Sequence, residues 1–98
     1  MFIRIVKLTL LENKVHDFLE HFDTIKDKVR HYPGCQFLEV YRDKDQSNIF
    51  FTYSYWEDES NLEAYKKSEL FGEIWPYTKT LFKEKAEAWS VDKVVTLK

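Results

Sequence analysis

The first ten residues carry apolar side chains on both parities. Phe2, Val6, Leu8 and Leu10 fall on one, Ile3 and Ile5 on the other, with Arg4 and Lys7 interrupting. A run of this kind predicts a strand over Phe2–Leu10, and the filled second parity predicts cover on both faces. From Lys14 to His31 the spacing changes. Val15, Phe18, Leu19, Phe22, Ile25 and Val29 form one helical stripe against Asp, Glu, Lys and His. Asn13 fits as the N-cap of this helix, and Tyr32-Pro33-Gly34 should end it. Cys35–Arg42 and Ile49–Trp56 read as strands joined by the polar turn Asp43–Asn48, a connection short enough for an antiparallel hairpin. Ser60-Asn61-Leu62-Glu63 matches a capping box. The stripe Leu70, Phe71, Ile74, Trp75, Thr78, Leu81 and Phe82 follows, with Gly72 and Pro76 inside it. This predicts a short helix, a break, and a longer helix between Ser60 and Lys83, with a kink or join near Trp75. Ala86–Val95 reads as the last strand.

The resulting order, β-α-β-β-α-β, predicts an α+β fold of the ferredoxin-like, split-βαβ kind with an antiparallel sheet. Its two main helices cover one sheet face. The other face would still carry apolar and aromatic side chains, which is a physical reason to expect a homodimer closed over it.

Composition sharpens this picture. A length of 98 residues predicts a single domain over residues 1–98. Eight Phe, six Tyr and three Trp are many for so small a core, since each ring buries roughly 150–250 Å². Some should line a cavity or an interface. Gly and Pro number two each, which favours long regular elements. A net charge of −2 gives no basic face for nucleic acid. The single Cys35 excludes an internal disulfide and suits a reducing compartment. The N-terminus lacks the pattern of a signal peptide, and no apolar run is long enough for a membrane span. A cytoplasmic protein that binds no membrane is expected.

Candidate chemistry is sparse. His16 and His21 lie about 140° apart around their helix, which is poor geometry for chelation, and thiolate partners for zinc are missing. His16, His21 and His31 are therefore expected at a solvated surface, with no metal and no other cofactor. Cys35 shows no neighbouring base and reads as a small buried hydrophobe. Glu57, Asp58 and Glu59 suit the positive end of the following helix better than acid–base chemistry. The aromatic set Tyr53, Tyr55, Trp56, Tyr65, Phe71 and Trp75 remains. Phe71 and Trp75 fit a core stripe. Tyr53, Tyr55 and Trp56 pair apolar bodies with donors that need partners when buried, as in a wall for a planar apolar ligand.

The opening strand Phe2–Leu8, the helix ending in Tyr32-Pro33-Gly34-Cys35, and the stretch Tyr55-Trp56-Glu57-Asp58-Glu59 continuing to Tyr65 carry a resemblance. With Ser68-Glu69-Leu70-Phe71 after them, they resemble the antibiotic biosynthesis monooxygenase family over nearly the whole chain. The resemblance implies a dimeric α/β barrel and, in some members, oxidation of polycyclic phenols or quinols without metal or flavin. It places Trp56 as a pocket wall. From the residues themselves the expected substrate contacts are Arg4, as an anion stabiliser, with Thr52, Tyr55, Phe71 and Trp75. Thr52 stands where polyketide-oxidising members have Asn, and Tyr65 where a helix His is frequent. The expected catalytic set is Trp56 with Tyr65 and Tyr53 as hydrogen-bonding or proton-relay groups. The reading is a cofactor-independent monooxygenase for a small aromatic or quinone-like compound. The alternatives are a non-catalytic dimeric binding module and a haem-handling protein. The haem-degrading branch uses a helix His as iron ligand, and this chain has Tyr65, Lys66 and Lys67 in that region.

Overall fold

The computed structural model describes residues 1–98. Strand β1 (Phe2–Thr9) leads through a single 3₁₀ turn (Glu12–Lys14) into α1 (Val15–Arg30). Strands β2 (Cys35–Arg42) and β3 (Ile49–Trp56) follow, then α2 (Glu59–Lys66), α3 (Glu69–Lys79) and β4 (Glu87–Val91). The four strands form one antiparallel sheet in the order β2-β3-β1-β4. This is the split-βαβ arrangement expected from the pattern. The hairpin turn between β2 and β3 is tied by Asp43, whose carboxylate accepts from the backbone N–H of Asp45 (3.0 Å) and Gln46 (2.8 Å).

Alternation along the strands sorts side chains onto two faces. The even positions of β1 and β3 face the helices, and two compact clusters form there. Leu8, Leu10, Phe18, Phe50 and Leu81 make one; Phe2, Cys35, Trp56 and Leu62 make the other. Ile3 (8% exposed) and Thr9 (7%) are buried on the opposite parity, as the filled second parity of β1 suggested.

Several boundaries differ from the pattern-based reading, each for a local reason. Asn13 is not the cap of α1. It lies inside the 3₁₀ turn, and Lys14 takes the cap position without a side-chain bond. The turn supplies the first carbonyls, so no cap side chain is required. The cap of α2 is Asp58 and not Ser60. The Asp58 carboxylate accepts from the Ser60 N–H (3.0 Å) and hydroxyl (2.7 Å). The break between the later helices falls at Lys67–Ser68, well before Pro76. Ser68 donates to the Tyr65 carbonyl (2.6 Å) and accepts from the Phe71 N–H (3.1 Å), so it closes one helix and caps the next. Pro76 sits inside α3, where Ile74 and Thr78 on either side are buried; tertiary anchoring outweighs the lost backbone bond there. Finally, β4 stops at Val91, short of Val95. Val91 is paired with Ile3, so the chain beyond it runs off the start of β1.

The turn after α1 depends on Gly34, whose φ is +93°. A Cβ at this position would sit 2.3 Å from Asn61. The Arg30 guanidinium ties the end of α1 to the first residue of β2 through the Cys35 carbonyl (2.9 Å).

Candidate active site

A cavity of about 310 Å³ lies between the helix-facing side of the sheet and the three helices, and 15 of its 21 lining residues are hydrophobic. Its size falls at the lower end of small-molecule pockets, ~300–1,000 Å³. Of the residues expected at a site, Arg4, Thr52, Trp56, Tyr65, Phe71 and Trp75 all border it. Tyr53 and Tyr55 do not. They occupy odd positions of β3 and lie on the far side of the sheet, packed against Phe37 and Tyr41.

Trp56 is 2% exposed, and its indole N–H donates to the Ser54 hydroxyl at 3.0 Å. The ring is thereby oriented as a wall with its donor already committed. Tyr65 packs at 5.4 Å from Trp56 and 5.2 Å from Tyr32, centroid to centroid. Burial pushes its phenol up to about 12, with smaller contributions from Cys35 and Tyr32; no hydrogen bond takes part. The phenol therefore stays protonated at neutral pH and can donate. Rings continue from Tyr65 to Phe71 (5.2 Å), from Phe71 to a parallel-stacked Trp75 (5.4 Å), and on to Phe82 (5.5 Å).

The charged groups are at the rim. Arg4, half-buried, donates from Nη1 to the Ser90 hydroxyl across β1 and β4 at 3.0 Å. Lys66 pairs with Glu63 at 3.0 Å and holds that carboxyl below its ordinary range. No three His, Cys, Asp or Glu side chains converge as a metal site would require. Burial raises the Cys35 thiol, as an inert buried cysteine requires.

His21 departs from the expectation of a solvated surface. His16 is exposed and paired with Glu20. His21 instead borders the cavity, with Nε2 3.0 Å from Thr78 Oγ1 and its ring edge-on to Tyr77. Desolvation lowers its pKa below 6.5, opposed by a hydrogen bond to the Ile74 carbonyl. The stripe itself held the signal: His21 lies three residues after Phe18 and four before Ile25, on the face those residues bury. Ser54 was likewise legible as the residue between Thr52 and Trp56 on their parity.

A family model described as antibiotic biosynthesis monooxygenase matches residues 1–75. A conserved protein from Methanosarcina mazei Go1 superposes with a TM-score of 0.87 at 24% identity, over 95% of this chain and 93% of that one. A solved antibiotic biosynthesis monooxygenase gives 0.89 at 18% identity, over 97% of this chain and 100% of the other. PA3566 from Pseudomonas aeruginosa gives 0.84 at 16% identity, over 96% and 94%. At these identities the likeness is one of fold. A search of curated proteins returned no match. The family model takes in β1 through most of α3, the elements that carry Arg4, Trp56, Tyr65 and Phe71, and on that ground the chain belongs to the antibiotic biosynthesis monooxygenase family.

Proposed function

We propose that the chain is a cofactor-independent monooxygenase acting on a small aromatic or quinone-like compound held in this cavity. The supporting observation is Tyr65, a protonated phenol facing an apolar, ring-lined space. A phenol or hydroquinone bound there, once deprotonated, is electron-rich enough to reduce dioxygen itself. One oxygen atom enters the ligand in place of two hydrogens, and the other leaves with them as water. The protein's part is to exclude water, orient the ligand and donate to developing negative charge. Trp56 and Trp75 supply walls, Tyr65 the donor, and Arg4 a cation at the rim. Tyr53 and Tyr55 have no part in this, being on the other side of the sheet.

The function is tested by oxygen uptake in metal-free buffer with a panel of hydroquinones. The wild type is expected to consume oxygen with at least one. Tyr65→Phe should lower kcat by about 10²-fold, as for loss of an oxyanion donor. Trp56→Ala should act mainly on binding. No uptake with any compound would remove the oxygenase reading. Binding without uptake would make the protein a small-molecule-binding module.

We also propose that the uncovered sheet face pairs with a second copy. Tyr41, Trp89 and Val91 on that face are 47%, 45% and 39% exposed, beside Phe37, Tyr53 and Tyr55. A cytoplasmic setting suits the free Cys35. No helix is long and apolar enough to cross a membrane.

A further inference from the structure

We infer that His21 is the residue that recognises a hydroxyl group on the cavity's ligand, accepting its hydrogen bond at Nδ1. The inference rests on the cavity being a ligand site, and adds which ligand chemistry it selects.

The hydrogen-bond pattern fixes the ring. Thr78 Oγ1 donates its one proton to the Ile74 carbonyl at 2.8 Å, inside α3. Toward His21 it can then only accept, so the proton of the neutral imidazole sits on Nε2, 3.0 Å away. Nδ1 is left as the acceptor. Tyr77 packs edge-on at 4.7 Å and fixes the ring plane.

The surroundings keep the ring neutral. From α3 it meets Thr78, Tyr77 and the Ile74 carbonyl, of which only the Tyr77 phenol is titratable. On α1 the acidic group one turn earlier, Asp17, is paired with Lys14 at 3.5 Å. Burial therefore decides, and it favours the uncharged form. A neutral imidazole with one nitrogen anchored and the other bare complements a phenol or enol O–H. It cannot serve a ligand that offers only carbonyl oxygens. Among the cavity's other polar groups, Arg4 and Lys66 only donate, the Thr78 proton is committed to the Ile74 carbonyl and the Ser54 hydroxyl is already engaged by Trp56, while Tyr65 and Thr52 carry hydroxyls. His21 adds an acceptor that cannot donate, so a ligand with a hydroxyl at one end and a carbonyl or phenolate at the other meets a partner at both.

The test compares 1-naphthol with naphthalene, the same ring system without the hydroxyl, by equilibrium dialysis against the whole chain. The ratio of their dissociation constants is read for wild type and His21→Phe. At pH 7.5 the wild type should favour the hydroxyl by about 5–10-fold more than the variant does. As the pH falls through the lowered pKa of His21 that difference should vanish, because protonated His21 has no acceptor; the variant's ratio should stay flat. Equal ratios at every pH would overturn the assignment of His21 and leave the cavity reading intact. Failure of both compounds to bind wild type would overturn both. A measurement on the unaltered protein covers a variant that does not fold. The ¹⁵N resonance of His21 Nδ1 should shift on adding naphthol and stay still on adding naphthalene. An unmoved Nδ1 with naphthol bound would overturn the inference by itself.

Discussion

Trp56 donates its indole N–H to Ser54, two residues earlier on the same strand face, across 3.0 Å. Both side chains are buried, Trp56 at 2% and Ser54 at 7% exposed. The bond joins the wall of the cavity to the sheet beneath it. Ser54→Ala should strand a buried donor and cost about 1–3 kcal/mol. In a Trp56→Phe background the same change should cost far less, since no donor remains to be stranded. Urea unfolding of the two single variants and the double variant measures this. Strictly additive losses would mean that the bond carries no coupling.

The two glycines should respond in opposite directions. Gly34 needs its positive φ and has Asn61 against the missing Cβ, so Gly34→Ala should destabilise by about 2–4 kcal/mol. Gly72 lies within α3, and a Cβ there meets nothing within 4 Å. Gly72→Ala should therefore stabilise by ~0.5–1 kcal/mol. Thermal unfolding of the pair settles the sign of each. A loss on Gly72→Ala would show that the helix needs a glycine one turn before Pro76.

His21 makes stability depend on pH in a defined direction. Its pKa is depressed in the folded protein by burial, while the unfolded chain keeps the ordinary 6.5. Between those two values the unfolded state binds more protons, so stability falls as pH drops below 6.5 and levels off below the folded pKa. The lowered carboxyls of Asp43, Asp58 and Glu63 act only further down, below the ordinary carboxylate range. His21→Phe should flatten the upper part of the profile. Urea midpoints from pH 7.5 to 5 provide the check, and an unchanged slope in the variant would argue against a desolvated His21.

The aromatic centre of the uncovered sheet face should not tolerate an unpaired charge. Ile5 sits between Tyr53 of β3 and Trp89 of β4. Ile5→Glu should dissociate the proposed dimer, since it places a carboxylate among apolar rings. Light scattering coupled to size exclusion should give the mass of two chains for wild type and one for the variant. A wild-type mass near 11.9 kDa would end the dimer proposal.

The strands, their pairing and the long first helix were legible because each has one dominant period. Val15, Phe18, Phe22 and Ile25 repeat at helical spacing, and the hairpin is bounded by Asp43–Asn48. The break between α2 and α3 was misplaced because Pro76 is a stronger local signal than Ser68. Ser68 acts through two bonds, to Tyr65 and Phe71, that exist only once both helices have formed. For the site, β3 is aromatic on both parities. Phe51, Tyr53 and Tyr55 alternate with Phe50 and Trp56, and residue type alone does not tell which parity the helices cover. Trp56 and Tyr65 border the cavity, and Tyr53 lies across the sheet from it. His21 is not conspicuous in the sequence, because its spacing from His16 is poor for chelation and only its place on the apolar stripe marks it.

The rings that run from Tyr32 and Trp56 through Tyr65 and Phe71 to Trp75 and Phe82 pack against one another along their length, tilted at the first and edge to face or stacked beyond. A ring braced on both sides has few rotamers left to turn into an adjoining void. The hollow beneath the helices is thus propped open by its own wall. A flat guest of the kind proposed would find its shape already cast, with little side-chain freedom left to lose on binding.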